Sequence, residues 1–125
     1  MYWPNDWSGD RTDVTNEVKA FCEDCPFPDY DTFDSIGSLA AKAKKGLFAR
    51  MLDEQIPSGV RIMECGCGTG QLSNFLSIRN REVIGADICL NSLRLGQRFA
   101  REEHLENVRF IQMNLFKPPF RSGSF

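Results

Sequence analysis

The feature that most constrains the fold of this chain is a glycine-rich stretch at residues 61–72. A short apolar run ends in the acidic Glu64, and glycines follow at alternate positions, at Gly66, Gly68 and Gly70. An amphipathic segment begins directly after the last glycine. Because glycine accepts backbone angles that other residues avoid, this order predicts a buried strand, a tight turn and the first turn of a helix.

Hydrophobic spacing on both sides of this stretch predicts six elements in the order helix, strand, helix, strand, helix, strand. Such an order indicates an α/β protein with parallel strands and right-handed crossovers. We therefore expect a Rossmann-like three-layer sandwich, in which a partial parallel sheet of strand order 3-2-1 has flanking helices. The predicted elements are Ser35 to about Gln55, Val60–Glu64, Gln71–Ile78, Glu82–Asp87, Leu90 to about Glu103 and Val108–Met113.

Residues 1–34 differ from the rest of the chain in charge. They hold nine acidic and two basic residues, whereas residues 35–125 hold eight acidic and thirteen basic ones. This division predicts a separate acidic N-terminal segment before the α/β part. Within it, we expect residues 1–16 to be irregular and a short helix to follow over Glu17–Cys22.

Three aromatic side chains, Phe27, Tyr30 and Phe33, recur in a proline-containing loop of the acidic segment. They follow neither helical nor strand spacing, and an exposed cluster of this kind would form an apolar patch. Two interpretations stay open. Either the rings dock on the hydrophobic core, or the segment 1–34 closes as a lid over a ligand.

The overall composition restricts the class of protein. With 125 residues, 42% of them hydrophobic, the chain can build one small domain with one core. It has no run of about 20 apolar residues, and its first residues lack the basic and then apolar order of a signal peptide. We therefore expect a cytoplasmic protein without a membrane span. The net charge of −2 gives no evidence for nucleic acid as a partner.

The five cysteines raise the question of a metal site. Cys22 and Cys25 have the spacing of a ligand pair, and Cys65 with Cys67 would complete four sulfur ligands. A Cys-x-Cys pair inside a glycine turn is poor zinc geometry, however, and neither pair has a matching partner. We favour the interpretation that these residues and Cys89 are small apolar side chains, and we predict no metal.

The residues at the predicted strand ends indicate which ligand the turn accepts. A dinucleotide-binding turn would need glycine at position 71, where this chain has Gln71, and the chain lacks a phosphate-binding loop with lysine. Asp87 ends the second strand, where a carboxylate can accept from both hydroxyls of a ribose. Asn114 follows the third strand and suits the polar edge of adenine, while Ile88 and Leu115 can enclose the base.

Four segments, at residues 64–70, 85–88, 110–115 and 119–125, together resemble class I S-adenosylmethionine-dependent methyltransferases. The resemblance covers about residues 35–125, and it implies transfer of the cofactor's methyl group to an acceptor. In that family most of the substrate side follows the third strand, and this chain stops before a fourth. We therefore expect the N-terminal half of a methyltransferase domain, inactive alone, with acceptor and catalytic residues unassigned.

The resemblance also assigns the parts of the cofactor to residues. It places the glycines of the turn beside the methionine portion, Asp87 at the ribose and Asn114 with Leu115 at the adenine, although the family more often has Asp at position 114. From the residues alone, the charge of Glu64 suits a ligand ammonium group. The predicted cofactor-binding residues are Glu64, Gly66, Cys67, Gly68, Thr69, Gly70, Asp87, Ile88, Asn114 and Leu115.

Two other functions stay open. The chain can be a non-catalytic, truncated Rossmann-like module that binds no cofactor or pairs with another chain. It can also be an NAD-dependent oxidoreductase, which Gln71 argues against. Because the first strand is expected at an open edge of the sheet, we also predict that the isolated chain self-associates.

Overall fold

The computed structural model describes residues 11–25, 30 and 34–125. In this part of the chain, three strands alternate with helices from residue 61 onward, as predicted, and each predicted bound there lies within one residue of the observed one. The helices are α1 (Arg11–Asp24), α2 (Ile36–Lys45), α3 (Leu47–Gln55), α4 (Gln71–Ser77) and α5 (Leu90–Glu102). The strands are β1 (Arg61–Cys65), β2 (Glu82–Asp87) and β3 (Val108–Gln112).

The three strands form one parallel sheet in the spatial order β1-β2-β3. Glu64 of β1 lies beside Gly85 of β2, which lies beside Phe110 of β3. These positions share one face of the sheet, and that face packs against α4 and α5. The predicted Rossmann-like fold and strand order 3-2-1 are confirmed, and β1 is at the edge of the described sheet.

The hydrophobic core lies between this face of the sheet and the helices. Of the residues that helical spacing predicts to point inward from α4 and α5, Leu72 is partly buried, and the buried ones are Phe75, Leu76, Leu93, Phe99 and Ala100. The helical spacing therefore identified the buried face of α4 and α5 correctly. Core residues that form one contiguous cluster are Leu39, Phe75, Leu76, Val83, Phe99, Ala100 and Val108.

The helix predicted from Ser35 to about Gln55 is interrupted at Gly46, so that prediction was wrong in its length. Ser35 caps α2 through a reciprocal capping box, but Gly46 has extended angles of φ −77° and ψ 121° and separates α2 from α3. Glycine is costly inside a helix, which makes it a natural point of interruption. Helical spacing predicts one apolar stripe that runs from Ile36 to Leu47 and Met51. Beyond the break, however, Leu47 is 64% and Met51 46% exposed.

The N-terminal helix is longer than predicted. The sequence predicted irregular structure over residues 1–16 and a helix over Glu17–Cys22, whereas α1 already begins at Arg11. Residues 1–10 lie outside the described part of the chain. The carboxylate of Glu23 accepts hydrogen bonds from the N–H groups of Leu90 and Asn91, at 2.8 and 2.9 Å. Docking on α5 therefore supports a helix whose own propensity is weak.

Arg81 was predicted to belong to a simple connection, but its side chain is only 1% exposed. Its guanidinium group donates to the Asp53 carboxylate at 2.8 Å and to the carbonyl oxygens of Ile56, Pro57 and Leu76. This arrangement ties the ends of α3 and α4 to the start of β2. Among the described residues, no helix has the length and apolar character that a membrane span requires.

Candidate cofactor-binding site

The glycine turn between β1 and α4 is fastened to the end of β2. The N–H groups of Gly66 and Cys67 donate to the carbonyl oxygen of Ala86, at 2.8 and 3.0 Å. The N–H group of Gly68 donates to Asp87 Oδ2 at 2.8 Å. The turn and the predicted ribose-binding carboxylate therefore form one hydrogen-bonded unit at the carboxyl end of the sheet, where ligands bind in this topology.

The glycines of the turn differ in what surrounds them. Gly66, Gly68 and Gly70 all have left-handed backbone angles, with φ of 74°, 55° and 73°. A Cβ atom added to Gly70 would lie 2.2 Å from the ring of Phe110, whereas one added to Gly66 would meet no atom within 4 Å. Gly70 therefore packs against the interior, and Gly66 faces open space that a ligand can fill.

The ring of Phe110 packs beside the turn, and glycines in two neighbouring elements leave room for this close packing. A Cβ atom on Gly85 would lie 2.8 Å from this ring, and one on Gly96 of α5 would lie 2.6 Å from the Thr69 carbonyl oxygen. The missing side chains let β2 and α5 approach the turn closely. Sequence analysis missed this packing, although glycine inside a strand and inside a helix was an available signal.

Two cavities meet at Gly66. The larger has a volume of about 520 Å³ and lies between the turn and the helices α2 and α3. The smaller, of about 330 Å³, lies between α1 and the ends of β2 and β3. The predicted residues that line the larger cavity are Glu64, Gly66, Cys67 and Gly68. Those that line the smaller cavity are Gly66, Asp87, Ile88, Asn114 and Leu115.

Thr69 and Gly70 line neither cavity. Thr69 is fully buried, and its carbonyl oxygen accepts a hydrogen bond from the Tyr30 hydroxyl at 2.8 Å. The structure thus brings eight of the ten predicted residues to the two cavities. It places the other two behind the turn, where they contact the core.

Asp87 lies where the turn and the smaller cavity join. Its Oδ2 accepts from Gly68, as described above, and its Oδ1 accepts from the N–H group of Cys89 at 2.9 Å. An ionised carboxylate can accept about four hydrogen bonds, so both oxygens keep acceptor capacity. Cys89 is also the N-cap of α5. The sequence predicts Asn91 or Ser92 near this cap and leaves Asp87 as an alternative cap.

Glu64 lines the larger cavity at the end of β1. It accepts a short hydrogen bond from the Ser73 hydroxyl of α4. Burial raises the pKa of the Glu64 carboxyl, the bonds from Ser73 oppose this, and the negative charge of Asp87 raises the pKa further. A bound cation beside Glu64 would restore the charged form, because an opposite charge favours ionisation.

Asn114 and its neighbours form the far end of the smaller cavity. Asn114 Oδ1 accepts from the N–H group of Phe116 at 2.9 Å, which leaves the Nδ2 group as the donor that can face a ligand. Leu115 is 48% exposed, and the Ile88 carbonyl oxygen accepts from the Gln112 side chain. This end of the site therefore offers apolar side chains and an amide donor.

The wall opposite these residues comes from α1, which contributes Thr15, Val18 and Cys22 to the smaller cavity. Sequence analysis did not assign these residues to the site. In the short helix predicted over Glu17–Cys22, Val18 and Phe21 share one face, and that spacing was the signal available. The prediction that the segment 1–34 acts as a lid stays a prediction, and Phe27 and Phe33 lie outside the described residues.

The cysteines are distributed over the site without forming a metal centre. Among the described residues there is no group of three or more histidine, cysteine and acidic side chains that could hold a metal ion. Cys67 and Cys89 are buried, whereas Cys25 and Cys65 are exposed. Burial, together with the negative charges of Glu64 and Asp87, raises the pKa of the Cys67 thiol and keeps it protonated.

Comparison with known proteins identifies the class to which this fold and site belong. A family model described as a methyltransferase domain matches residues 62–125. The chain therefore belongs to the methyltransferase domain family, and the predicted resemblance is confirmed. The cofactor predicted for the chain, S-adenosylmethionine, is confirmed as that of the family.

Individual relatives agree with this assignment. Demethylmenaquinone methyltransferase of Lactococcus lactis is 35% identical over 71 residues, which are 54% of this chain and 28% of the relative. Demethylmenaquinone methyltransferase of Listeria welshimeri is 29% identical over 103 residues, which are 78% of this chain and 42% of the relative. The chain thus spans less than half the length of either relative.

A solved structure supports the fold independently. The structure of the cyclase SpnF matches with a TM-score of 0.58 at 20% identity, over 86% of this chain and 41% of that one. At this identity the match shows the fold alone. It extends over most of the chain and therefore agrees with the Rossmann-like topology of the described strands.

Proposed function

We propose that this chain binds S-adenosylmethionine and supplies the cofactor-binding half of a methyltransferase. The observation that carries the proposal is that two cavities meet at Gly66, where a Cβ atom would project into open space. A ligand with a nucleoside at one end and an amino acid at the other can pass over Gly66 and occupy both cavities. Membership of the methyltransferase family supports the same cofactor.

The nucleoside belongs in the smaller cavity. The Asp87 carboxylate keeps acceptor capacity for the ribose hydroxyls, and Ile88 with Leu115 offers apolar surface to the base. Asn114 would donate from Nδ2 to a ring nitrogen of adenine. Its Oδ1 already accepts from the Phe116 N–H group and keeps a second lone pair.

The methionine portion belongs in the larger cavity. Glu64 would face the ammonium group, since it lines this cavity and carries the carboxylate at the end of β1. Gly66 and Gly68 have no side chain, so the ligand can approach the backbone of the turn closely at these two positions. Cys67 lines the same cavity, whereas Thr69 and Gly70 act indirectly, by holding the shape of the turn.

When bound, S-adenosylmethionine supplies a methyl group that is already activated by its attachment to a sulfonium centre. The residues of this chain would bind and orient the cofactor, and Val18 and Cys22 of α1 line one wall of the smaller cavity. We assign no catalytic base among the described residues.

Titration calorimetry with S-adenosylhomocysteine (SAH) and with NAD tests the cofactor assignment. We expect SAH to bind and NAD not to bind. Asp87→Asn should weaken SAH binding roughly 10- to 100-fold, because a hydrogen bond to a charged group contributes about 1.5–3 kcal/mol. Glu82→Gln, an exposed change at the amino end of the same strand, is the matched control and should leave the Kd unchanged.

The other outcomes of this titration distinguish the remaining functions. Binding of NAD without SAH would overturn the proposal in favour of an oxidoreductase. A folded protein that binds neither ligand would be the non-catalytic module.

We also propose that the chain self-associates through the edge of its sheet. In the described sheet β1 has one neighbour, so its outer edge presents unpaired backbone groups. Met63 and Ile84 lie on the sheet face opposite α4 and α5 and are partly exposed. Sedimentation velocity should show species larger than a monomer, and Met63→Lys should reduce them. A single monomeric species over a wide range of concentrations would contradict this.

A further inference from the structure

A buried polar cluster lies behind the glycine turn, on the side away from the two cavities. The Tyr30 hydroxyl donates to the Thr69 carbonyl oxygen at 2.8 Å and accepts from Asn74 Nδ2 at 2.8 Å. Asn74 Nδ2 also donates to the Gly96 carbonyl oxygen at 3.2 Å. One tyrosine thus connects the acidic N-terminal segment with the turn, with α4 and, through Asn74, with α5.

The surroundings of Tyr30 fix its hydroxyl in place. Its ring is stacked on Phe99 of the core, with ring centroids 4.5 Å apart and an angle of 19° between the planes. Burial, as the largest cause, raises the pKa of the Tyr30 hydroxyl well above its usual value, so the group stays protonated and can donate. Both hydrogen-bond partners in the turn and in α4 are fully buried, so these bonds are sheltered from water.

The turn is therefore held from two directions. At the front, Asp87 Oδ2 accepts from the N–H group of Gly68, and at the back, Tyr30 donates to the carbonyl of the next residue, Thr69. Together these bonds fix the two peptide groups on either side of the Gly68–Thr69 peptide. A Cβ atom on Gly96 would come within 2.6 Å of the same Thr69 carbonyl, so the structure leaves little room for another arrangement.

We propose that Tyr30 is a positioning residue that sets the glycine turn in its cofactor-binding shape before the cofactor arrives. The inference rests on the proposed function, because it concerns the same site. Tyr30 contacts neither cavity, and it acts through the Thr69 carbonyl, which in turn orients the backbone from Gly68 to Gly70. Tyr30 thus packs on the core, as one interpretation of the sequence held, and would preorganise the site.

Tyr30→Phe tests this proposal, because it keeps the ring on Phe99 and removes only the hydroxyl. We expect the amides of Gly68 and Gly70 to exchange with solvent about tenfold faster, relative to the amides of β2, in protein without ligand. We also expect SAH to bind about tenfold more weakly. The exchange measurement does not require a ligand, so it tests the positioning role even if SAH is not the cofactor.

Ser77→Ala is the matched control. The Ser77 hydroxyl donates to the Asn74 carbonyl oxygen at 2.7 Å, so this change also removes one buried hydroxyl-to-carbonyl bond of α4. It should lower the melting temperature about as much as Tyr30→Phe, with unchanged exchange at the turn and unchanged SAH affinity. If the two variants lose stability equally and neither changes the turn or the affinity, Tyr30 is structural only and the proposal is overturned.

Discussion

The two ends of the parallel sheet use charged side chains in opposite ways. At the amino end, the buried Arg81 donates to Asp53 and to main-chain carbonyl oxygens, so its donors are used within the protein. At the carboxyl end, Glu64 and Asp87 line cavities and keep capacity to accept further hydrogen bonds. A charge that is saturated inside the protein holds the fold, whereas a charge with spare acceptors beside open space is available to a ligand.

Two glycines, one near each end of β1, allow the two ends of the sheet to be compared. Gly59, near the amino end of β1, and Gly66, at its carboxyl end, both have φ of 74°. A Cβ atom added to either would meet no atom within 4 Å. A side chain at either position would therefore strain the backbone to a similar extent. Only Gly66 lies where the two proposed parts of the cofactor site meet, so the two ends of the sheet can be compared by matched substitutions.

Removal of the charge at the amino end should have the largest effect on stability. Arg81→Met should lower the free energy of unfolding by about 3–5 kcal/mol, because among the described residues it leaves Asp53 with only the exposed side chain of Arg79 as an ionic partner. Denaturation by urea measures the change. The folded variant should still bind SAH with the original Kd, since Arg81 lies at the opposite end of the sheet.

Arg61→Met is the matched control for this substitution. Arg61 forms an ion pair with Glu82 at 2.9 Å, but both side chains are about half exposed. Such a pair contributes at most about 1 kcal/mol, so the variant should unfold almost like the original protein. Equal destabilisation by both changes would show that the saturated guanidinium of Arg81 has no special role in the fold.

The next largest effect should come from Gly66→Ala, and it should fall on binding. The strain of a left-handed alanine should cost about 1–2 kcal/mol of stability, and the same loss is expected for Gly59→Ala. Only Gly66→Ala also places a methyl group between the two cavities, which should weaken SAH binding by about 1–3 kcal/mol. Calorimetry and thermal melting of both variants separate the two effects. Weaker binding in both, or in neither, would contradict the assigned site.

The carboxyl end of the sheet was predicted from the sequence in more detail than the amino end. The pattern that predicts the turn lies within a short stretch of sequence. It consists of glycines at alternate positions, an acidic residue before them and Asp87 at the end of the next strand. Together these residues determine which groups meet at one edge of the sheet. Eight of the ten predicted residues line the two cavities for this reason. Thr69 and Gly70 do not, because Thr69 is fully buried and Gly70 packs against the ring of Phe110.

What the sequence did not indicate depends on contacts between distant residues. From the sequence, Arg81 belongs to a polar connection between α4 and β2. Its burial beside Asp53 depends on the packing of α3 against this connection. Tyr30 reads as one of several loop aromatics until its distance to the Thr69 carbonyl is known. Gly46 was a local signal for a break in the helix. The hydrophobic spacing continues through it, however, and therefore predicted one helix. Where local sequence patterns are ambiguous, contacts between residues that are distant in the sequence thus determine the structure.

The smallest predicted effect concerns the charge of Glu64 and its dependence on pH. Because burial raises the pKa of Glu64, the folded protein holds this proton to a higher pH than the unfolded chain does. The stability that this proton provides is present below the usual glutamate range and is lost as the pH rises through the folded pKa. Glu64→Gln should remove that decline in urea unfolding measured across the acidic range, whereas the exposed Glu82→Gln should keep it.

Ligand binding should show the opposite dependence, which separates the two roles of Glu64. If the ionised carboxylate meets the ammonium group of SAH, affinity should rise by about two- to fivefold over the interval in which Glu64 loses its proton. In Glu64→Gln the affinity should be flat over that interval. If the affinity still rises with pH in Glu64→Gln, the ammonium group does not bind at the end of β1. Since Asp87 would then be the nearest carboxylate of the turn, the two cavities would have to exchange their proposed ligands.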